Sequence, residues 1–251
     1  MTTSTTATTL RPAKFSEHPR MAQIFSSAFR EESVFGVIMN PHRHQYPADM
    51  ALWPLRRNRL NHWDWTHRFL VTTMTDQVTK REVITGWAEW ARWGKEGKRK
   101  WGLSWWDPTV STKPGNLLKP LTILFNRLSS LVYPNRAIDP SKEDILERAF
   151  PYFAELWSGP RAETWYLAAL AVDPKYHGQG CGRKLVRWGL EQATKEGVCA
   201  SVISAHGKER FYQRCGFDVQ EGRAGQGEGN PLSEGAGGLI FWKEPDIQKE
   251  T

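Results

Sequence analysis

Residues 172–183, Val172-Asp173-Pro174-Lys175-Tyr176-His177-Gly178-Gln179-Gly180-Cys181-Gly182-Arg183, set three glycines at alternate positions. They follow an apolar run, Trp165 to Val172, and precede a helix-like run that continues from Lys184. Glycine lets a backbone approach a ligand closely. The first-turn N–H groups of a helix have no partner inside it, and together with the helix dipole they suit a diphosphate. Strand, glycine loop and helix N-terminus therefore predict an anion cradle for a phosphorylated cofactor. The nucleoside-triphosphate spacing Gly-x4-Gly-Lys-Ser/Thr is excluded, because Arg183-Lys184 follows Gly182. The dinucleotide spacing Gly-x-Gly-x-x-Gly needs glycine at 183 or 185, where Arg183 and Leu185 stand. On the glycines alone, a plain strand–turn–helix connection remains the alternative.

The residues beyond the loop decide between these. A helix over 182–196 leads into Val198-Cys199-Ala200-Ser201-Val202-Ile203, whose β-branched residues predict a strand. Then a short helix carries Tyr212 and ends at a Gly216 cap before Phe217. This order of strand, Q/R-x-x-G-x-G/A-type loop, helix, strand and short helix with Tyr-x-x-x-Gly-Phe resembles the GCN5-related N-acetyltransferase (GNAT) superfamily. The resemblance is dense over 164–217 and looser over 9–91 and 238–243.

The resemblance implies an α/β (α+β) fold: a mixed central sheet, splayed between its fourth and fifth strands, flanked by helices and here carrying a helical insertion. It implies acetyl-CoA as co-substrate and no metal. Leu170, Ala171 and Val172 match the positions whose backbone pairs with the pantetheine arm. Gly178, Gln179, Gly180, Cys181, Gly182 and Arg183 match the pyrophosphate loop, and Tyr212 the acid that protonates the departing thiolate. Two positions depart from the family pattern. His177 stands where relatives carry Gln or Arg, and Ala205 where many carry a cofactor-contacting Asn. His177 is retained in the cofactor set, since loop amides make most of the phosphate contacts.

The residue types fit the chemistry. Acetyl transfer from a thioester needs a neutral amine, a donor on the carbonyl and an acid for the thiolate. That thiolate has a pKa near ~8.5, and a tyrosine at ~10 can protonate it. For the base, Glu89 is the candidate, in Trp87-Ala88-Glu89-Trp90 on an expected strand with aromatic neighbours. Glu163 and Tyr166 are the other candidates, Ala200 cannot act, and a water chain is the alternative to all of them.

These groups need a scaffold. Leu10 to Ala13 reads as a first strand, and a helix capped at Ser16 follows, with Met21, Ile24, Phe25, Ala28 and Phe29 on one face. A second helix is expected over 47–62, interrupted at Pro54. Strands are expected from Arg68 to Thr73 and from Val83 to Trp93, joined by a turn at Asp76-Gln77, and a late strand Gly238 to Trp242 to close the sheet. Residues 94–160 form an insertion. It comprises a loop over 94–116, a helix from Leu117 to Val132, and a helix begun by Asp139-Pro140 that runs toward Trp157 with a kink at Pro151. It is either a lid or wall of the acceptor pocket, or peripheral packing. Residues 221–237 read as a flexible glycine loop. The expected organisation is a tail over 1–9, one domain over 10–245 and a tail over 246–251.

Composition bounds the function. The chain has 251 residues, 39% hydrophobic and 24% charged, enough for a substantial core. The net charge of +7 suits a polyanionic cofactor. The basic run Lys95 to Lys100 comes without any nucleic-acid-binding signature, so no nucleic-acid partner is expected. Cys181, Cys199 and Cys215 are odd in number and scattered, which argues against a disulfide framework. The chain shows no apolar run of membrane length and no hydrophobic signal core, so no membrane partner is expected and the location is cytoplasmic or nuclear. Asn40-Pro41-His42-Arg43-His44 lacks a further ligand at metal spacing. Thirteen tryptophans include Trp53, Trp63, Trp65, Trp87, Trp90, Trp93, Trp101, Trp105 and Trp106 in the first half. They fill a core or line a site for an aromatic or cationic amine.

Three functions remain open: an acetyl-CoA-dependent N-acetyltransferase acting directly on a primary amine of a small molecule, a protein or peptide N-acetyltransferase, and a non-catalytic CoA-binding sensor or interaction module. Monomer and homodimer both fit.

Overall fold

Strand runs whose middles are buried on consecutive positions, as helices on both faces require, build one seven-stranded sheet. The computed structural model describes residues 8–99 and 115–245. Trp101, Trp105 and Trp106, most of the 94–116 loop and most of both expected tails lie outside the described residues. The strands are β1 (Thr9–Pro12), β2 (His67–Thr75), β3 (Glu82–Trp93), β4 (Thr164–Val172), β5 (Cys199–Ala205), β6 (Val219–Arg223) and β7 (Gly237–Lys243). Their order is β1-β2-β3-β4-β5-β7-β6, with β4–β5 the one parallel pair. The expected closing strand is therefore an interior one. β7 pairs with β5 on one side and β6 on the other, and β6 forms the edge.

The helices are α1 (His18–Ala28), α2 (Leu52–Asn61), the single turn α3 (Lys95–Gly97), α4 (Gly115–Val132), α5 (Ile145–Ala149), α6 (Cys181–Glu196) and α7 (Glu209–Cys215). Along β3, Ala88 and Trp90 turn toward α6 and α7, where Trp165, Leu185 and Phe217 join them in a core. Trp87 turns to the opposite face, against Met21 and Phe25 of α1. Pro54 does not interrupt α2. It sits in the first turn, where its missing N–H has no intrahelical acceptor to lose.

The insertion departs from expectation in its second half. In place of one kinked helix after Asp139, residues 140–161 form α5 flanked by single 3₁₀ turns. Pro140, Pro151 and Pro160 each open a new turn, and a proline inside a helix removes a donor and clashes with the preceding turn. Helix α4 packs on α2 by its polar side. Thr122 accepts a bond from Trp63 Nε1 (2.9 Å), and Asn126 Nδ2 donates to Arg56 O (3.0 Å). Leu124, Leu128 and Leu131 of α4 face solvent.

The glycine-rich stretch 221–237 is also more ordered than expected. It begins inside β6 and folds around buried Asn230, whose Nδ2 donates to Ala224 O (2.8 Å) and Gln226 O (2.6 Å). Among the described residues no helix is long and apolar enough to cross a membrane.

One close approach fixes α6 on the sheet. A Cβ added at Gly189 would lie 2.1 Å from the indole ring of Trp90, whose Nε1 donates to Leu185 O (3.2 Å). Gly189→Ala gains about 1 kcal/mol of helix propensity, and overpacking a rigid core costs about 1–3 kcal/mol or more. The ring here is fully buried and cannot retreat, so the clash dominates. Urea unfolding of Gly189→Ala is expected to show a net loss of about 2 kcal/mol.

Candidate functional site

The site begins where two strands part. β4 and β5 pair over Thr164–Leu167 and Cys199–Val202 and no further. At the same point the β3–β4 register steps from Glu89↔Ala169 to Trp90↔Leu167, leaving Ala168 as an extra residue on β4. Such a bulge bends its strand and increases its twist. Beyond it β4 stays paired with β3, while its other edge faces a gap. Ala168, Ala169 and Leu170 line one side of that gap, and Ile203, Ser204 and Ala205 the other. The gap opens into a cavity of about 450 Å³.

The glycine loop sits at the open end of β4. Asp173 Oδ1 accepts from Lys175 N (3.0 Å), and Asp173 also pairs with Arg20 (2.5 Å), so the chain turns immediately after Val172. Gly178 and Gly180 have φ of +77° and +80°, which disfavours any other residue there. No atom stands within 4 Å of where a Cβ would be at either position, so the space in front of the loop is open. Gly180 precedes the first turn of α6, whose N–H groups have no partner inside the helix. His177 is engaged within the loop: its N–H bonds Pro174 O (3.3 Å) and its Nε2 bonds Val172 O (3.0 Å). Cys181 turns its thiol into the core, 3.4 Å from Thr85 Oγ1, which leaves its backbone for the cradle. Of the strand positions expected to meet a pantetheine arm, Leu170 lines the cavity, whereas the Ala171 side chain is buried under α1.

Tyr212 is buried on α7 and lines the same cavity. Burial pushes its phenol well above the usual tyrosine value, and Cys215 and Tyr166 add to the shift. Tyr166 also lines the cavity, and burial raises it to about 12. Both phenols stay protonated at neutral pH.

Glu89 is fully buried and held in a network. Its Oε2 pairs with Arg57 Nη1, and its Oε1 accepts from His67 Nδ1 (2.7 Å) and Asn61 Nδ2 (2.8 Å). Burial alone would raise this carboxyl, but Arg57 and His67 outweigh it and hold the group far below the ordinary value. A carboxylate so stabilised holds a proton too weakly to draw one from an ammonium. Arg57, not Glu89, lines the cavity. Glu163 lies elsewhere, paired with Arg92 (2.8 Å) and accepting from Glu96 N (2.9 Å).

Much of the rest of the cavity lining is aromatic. Trp53, Trp87 and Trp93 line the cavity, whereas Trp90 packs beneath α6. Leu146, Phe150 and Phe153 line it from the insertion, so that half of the insertion is a wall of the cavity. Two charged residues of the lining, Glu32 and Arg57, carry no sequence signal. Neither belongs to a motif, and only the folding of the α1–α2 region against β3 brings them to the cavity.

Residues 148–219 match a family model described as an acetyltransferase (GNAT) domain. A crystal structure from Corynebacterium glutamicum, described as histone acetyltransferase HPA2 and related acetyltransferase, is similar over 97% of this chain and 99% of its own, at 18% identity and a TM-score of 0.56. That likeness concerns the fold. Two further similar structures are a GNAT family acetyltransferase from Brucella melitensis in complex with acetyl-CoA and the Drosophila melanogaster polyamine N acetyltransferase. The first is 15% identical, covers 85% of this chain and 84% of its own, and has a TM-score of 0.39. The second is 13% identical, covers 95% and 100%, and has a TM-score of 0.46.

The Glu89 network has a pH signature. A depressed folded-state pKa gives stability that is fully present above the ordinary value of 4.5 and is lost as pH falls below it. The wild type is therefore expected to lose urea resistance more steeply than Glu89→Gln between about pH 5 and pH 3. At neutral pH the variant is expected to be less stable by about 3 kcal/mol, because Arg57 loses its buried partner.

Proposed function

We propose that this chain, which carries a GNAT acetyltransferase domain and is an acetyltransferase of that family, moves an acetyl group from acetyl-CoA directly to the primary amine of a small molecule. The observation that carries this reading is the continuity of one cavity. Its lining takes in both edges of the β4–β5 gap, Tyr212, and aromatic residues that include Phe150 and Phe153 of the insertion.

In this reading the pantetheine arm completes the interrupted sheet, bonding the β4 backbone over Leu170, Ala171 and Val172. The pyrophosphate lies in the open space before Gly178 and Gly180 and takes N–H groups of the loop from Gln179 to Arg183. His177 braces the loop from within, and Ala205 offers the arm no side-chain amide. The bulge at Ala168 turns backbone N–H groups into the gap, where one polarises the thioester carbonyl. The amine nitrogen attacks that carbon, the C–S bond breaks, and Tyr212 gives its proton to the sulfur. A phenol raised by burial is protonated at neutral pH, so its proton is in place when the C–S bond breaks. Glu89 acts as a positioning residue that fixes Arg57 at the cavity wall. The aromatic wall that Phe150 and Phe153 of the insertion give the cavity favours a small acceptor with apolar surface.

Release of CoA thiol on addition of amines tests the reading. Tyr212→Phe is expected to lower kcat about 10²-fold or more with the KM for acetyl-CoA within about threefold of wild type. Gly180→Ala is expected to raise the KM for acetyl-CoA, since it adds a Cβ in the cradle at positive φ. Tight CoA binding without thiol release, for every amine and peptide tried, would instead identify a sensor module.

A further inference from the structure

The aromatic part of the cavity is built around a carboxylate. Phe25 of α1 and Phe29 just after that helix stack at 4.3 Å, Phe35 meets Phe25 edge-on at 5.1 Å, and Trp53 of α2 lies 5.7 Å from Phe35. All four line the cavity, and Glu32 lines it among them. Two carboxylates, Glu32 and Glu147, face one guanidinium, Arg57, which Glu89 already neutralises. An anionic aromatic box suits a cation that carries a ring. Rings are held by stacking, and ammonium groups by carboxylate and π faces.

Glu32 differs from Glu89 in its surroundings. No cation pairs with it among the described residues. Its Oε2 accepts from Val34 N (2.9 Å) and Phe35 N (2.7 Å). Burial raises its carboxyl above the ordinary value, against the pull of the Phe35, Val34 and Ser33 N–H groups. The other charged groups nearby differ from it: Glu31 pairs with Arg43 (3.1 Å), Arg57 pairs with Glu89, and Glu147, also in the lining, is exposed to solvent on α5.

We infer that the acceptor is a primary arylalkylamine, with its ring among Phe25, Phe35 and Trp53 and its ammonium on Glu32, and that Glu32 removes the first proton from that ammonium. This rests on the amine-acetylation reading above. The nitrogen loses two protons in forming the amide. Glu32 takes the first and passes it to solvent, which frees the lone pair that forms the C–N bond. The second replaces the proton that Tyr212 gives to the sulfur as the C–S bond breaks. Charge and atoms balance as ammonium plus thioester giving amide, thiol and one proton.

The experiment compares phenethylamine and tryptamine with butylamine, putrescine and agmatine by CoA thiol release, in wild type, Glu32→Gln and Glu32→Asp. Gln keeps an oxygen for the Val34 and Phe35 N–H groups, so folding is expected to survive; CoA binding and thermal melting check this. The aryl amines are expected to exceed butylamine at least 10-fold in kcat/KM. Glu32→Gln is expected to lose about 10²-fold in kcat together with the acid limb of the pH profile, and Glu32→Asp to restore part of both. Good turnover of the aliphatic amines with none of the aryl ones would overturn the inference and leave amine acetylation standing. So would a Glu32→Gln enzyme with unchanged kcat and pH profile. If no amine at all is acetylated while CoA binds, the functional reading itself fails. Should Glu32→Gln melt early, Glu32→Ser, whose hydroxyl can still cap the Val34 and Phe35 N–H groups, replaces it, and a wild-type kcat and pH profile there would equally overturn the base role.

Discussion

Everything in this molecule that could do chemistry depends on β4 and β5 ceasing to pair after Leu167 and Val202. A parallel pair buried in a sheet has strong reason to continue, since each backbone group left without a partner in an apolar interior costs about 1–3 kcal/mol. The extra residue at Ala168 supplies the mechanical cause of the parting, because a bulge bends β4 while β3 holds its other edge in register. The result is a row of backbone groups facing a cavity instead of a strand. A ligand with amide groups of its own can complete the ladder.

Two buried contacts keep that gap in place. On one face, Gly189 lets α6 settle against Trp90, which sets the height of the helix whose first turn follows the glycine loop. On the other, α1 and α2 lie over Trp87 and Glu89. The Glu89 network converts an expensive buried charge into a rigid joint between α2 and the sheet, since Arg57, Asn61 and His67 together satisfy both of its oxygens. The same joint places Arg57 on the cavity wall. Burial also divides the titratable groups of the site by partner. Glu89 has cations and stays ionised, whereas Glu32 has only N–H groups and is raised.

The insertion serves two surfaces. Its proline-broken half delivers Phe150 and Phe153 to the cavity, where short turns can follow the curve of a pocket better than a straight helix could. Its helical half, α4, lies on α2 through polar contacts and turns Leu124, Leu128 and Leu131 outward.

The sequence by itself determined the glycine loop, the helix after it, the Tyr212 helix with its Gly216 cap, and the succession of strands and helices along much of the chain. These are local features: positive φ at Gly178 and Gly180 demands glycine, and apolar period marks helix from strand. It left the tryptophans as core or as site lining, and the structure holds both: Trp90 and Trp165 pack in the core, and Trp53, Trp87 and Trp93 line the cavity. Only the tertiary structure decided the rest. β7 lies inside the sheet because β6, a five-residue strand with no strong pattern, pairs outside it. Glu89 is ionised and tied down because Arg57, Asn61 and His67 come from a helix and a strand 22 to 32 residues away. Glu32 reaches the cavity from a loop that carries no motif. Charge state and access are properties of what folds against a residue, and no local pattern encodes them.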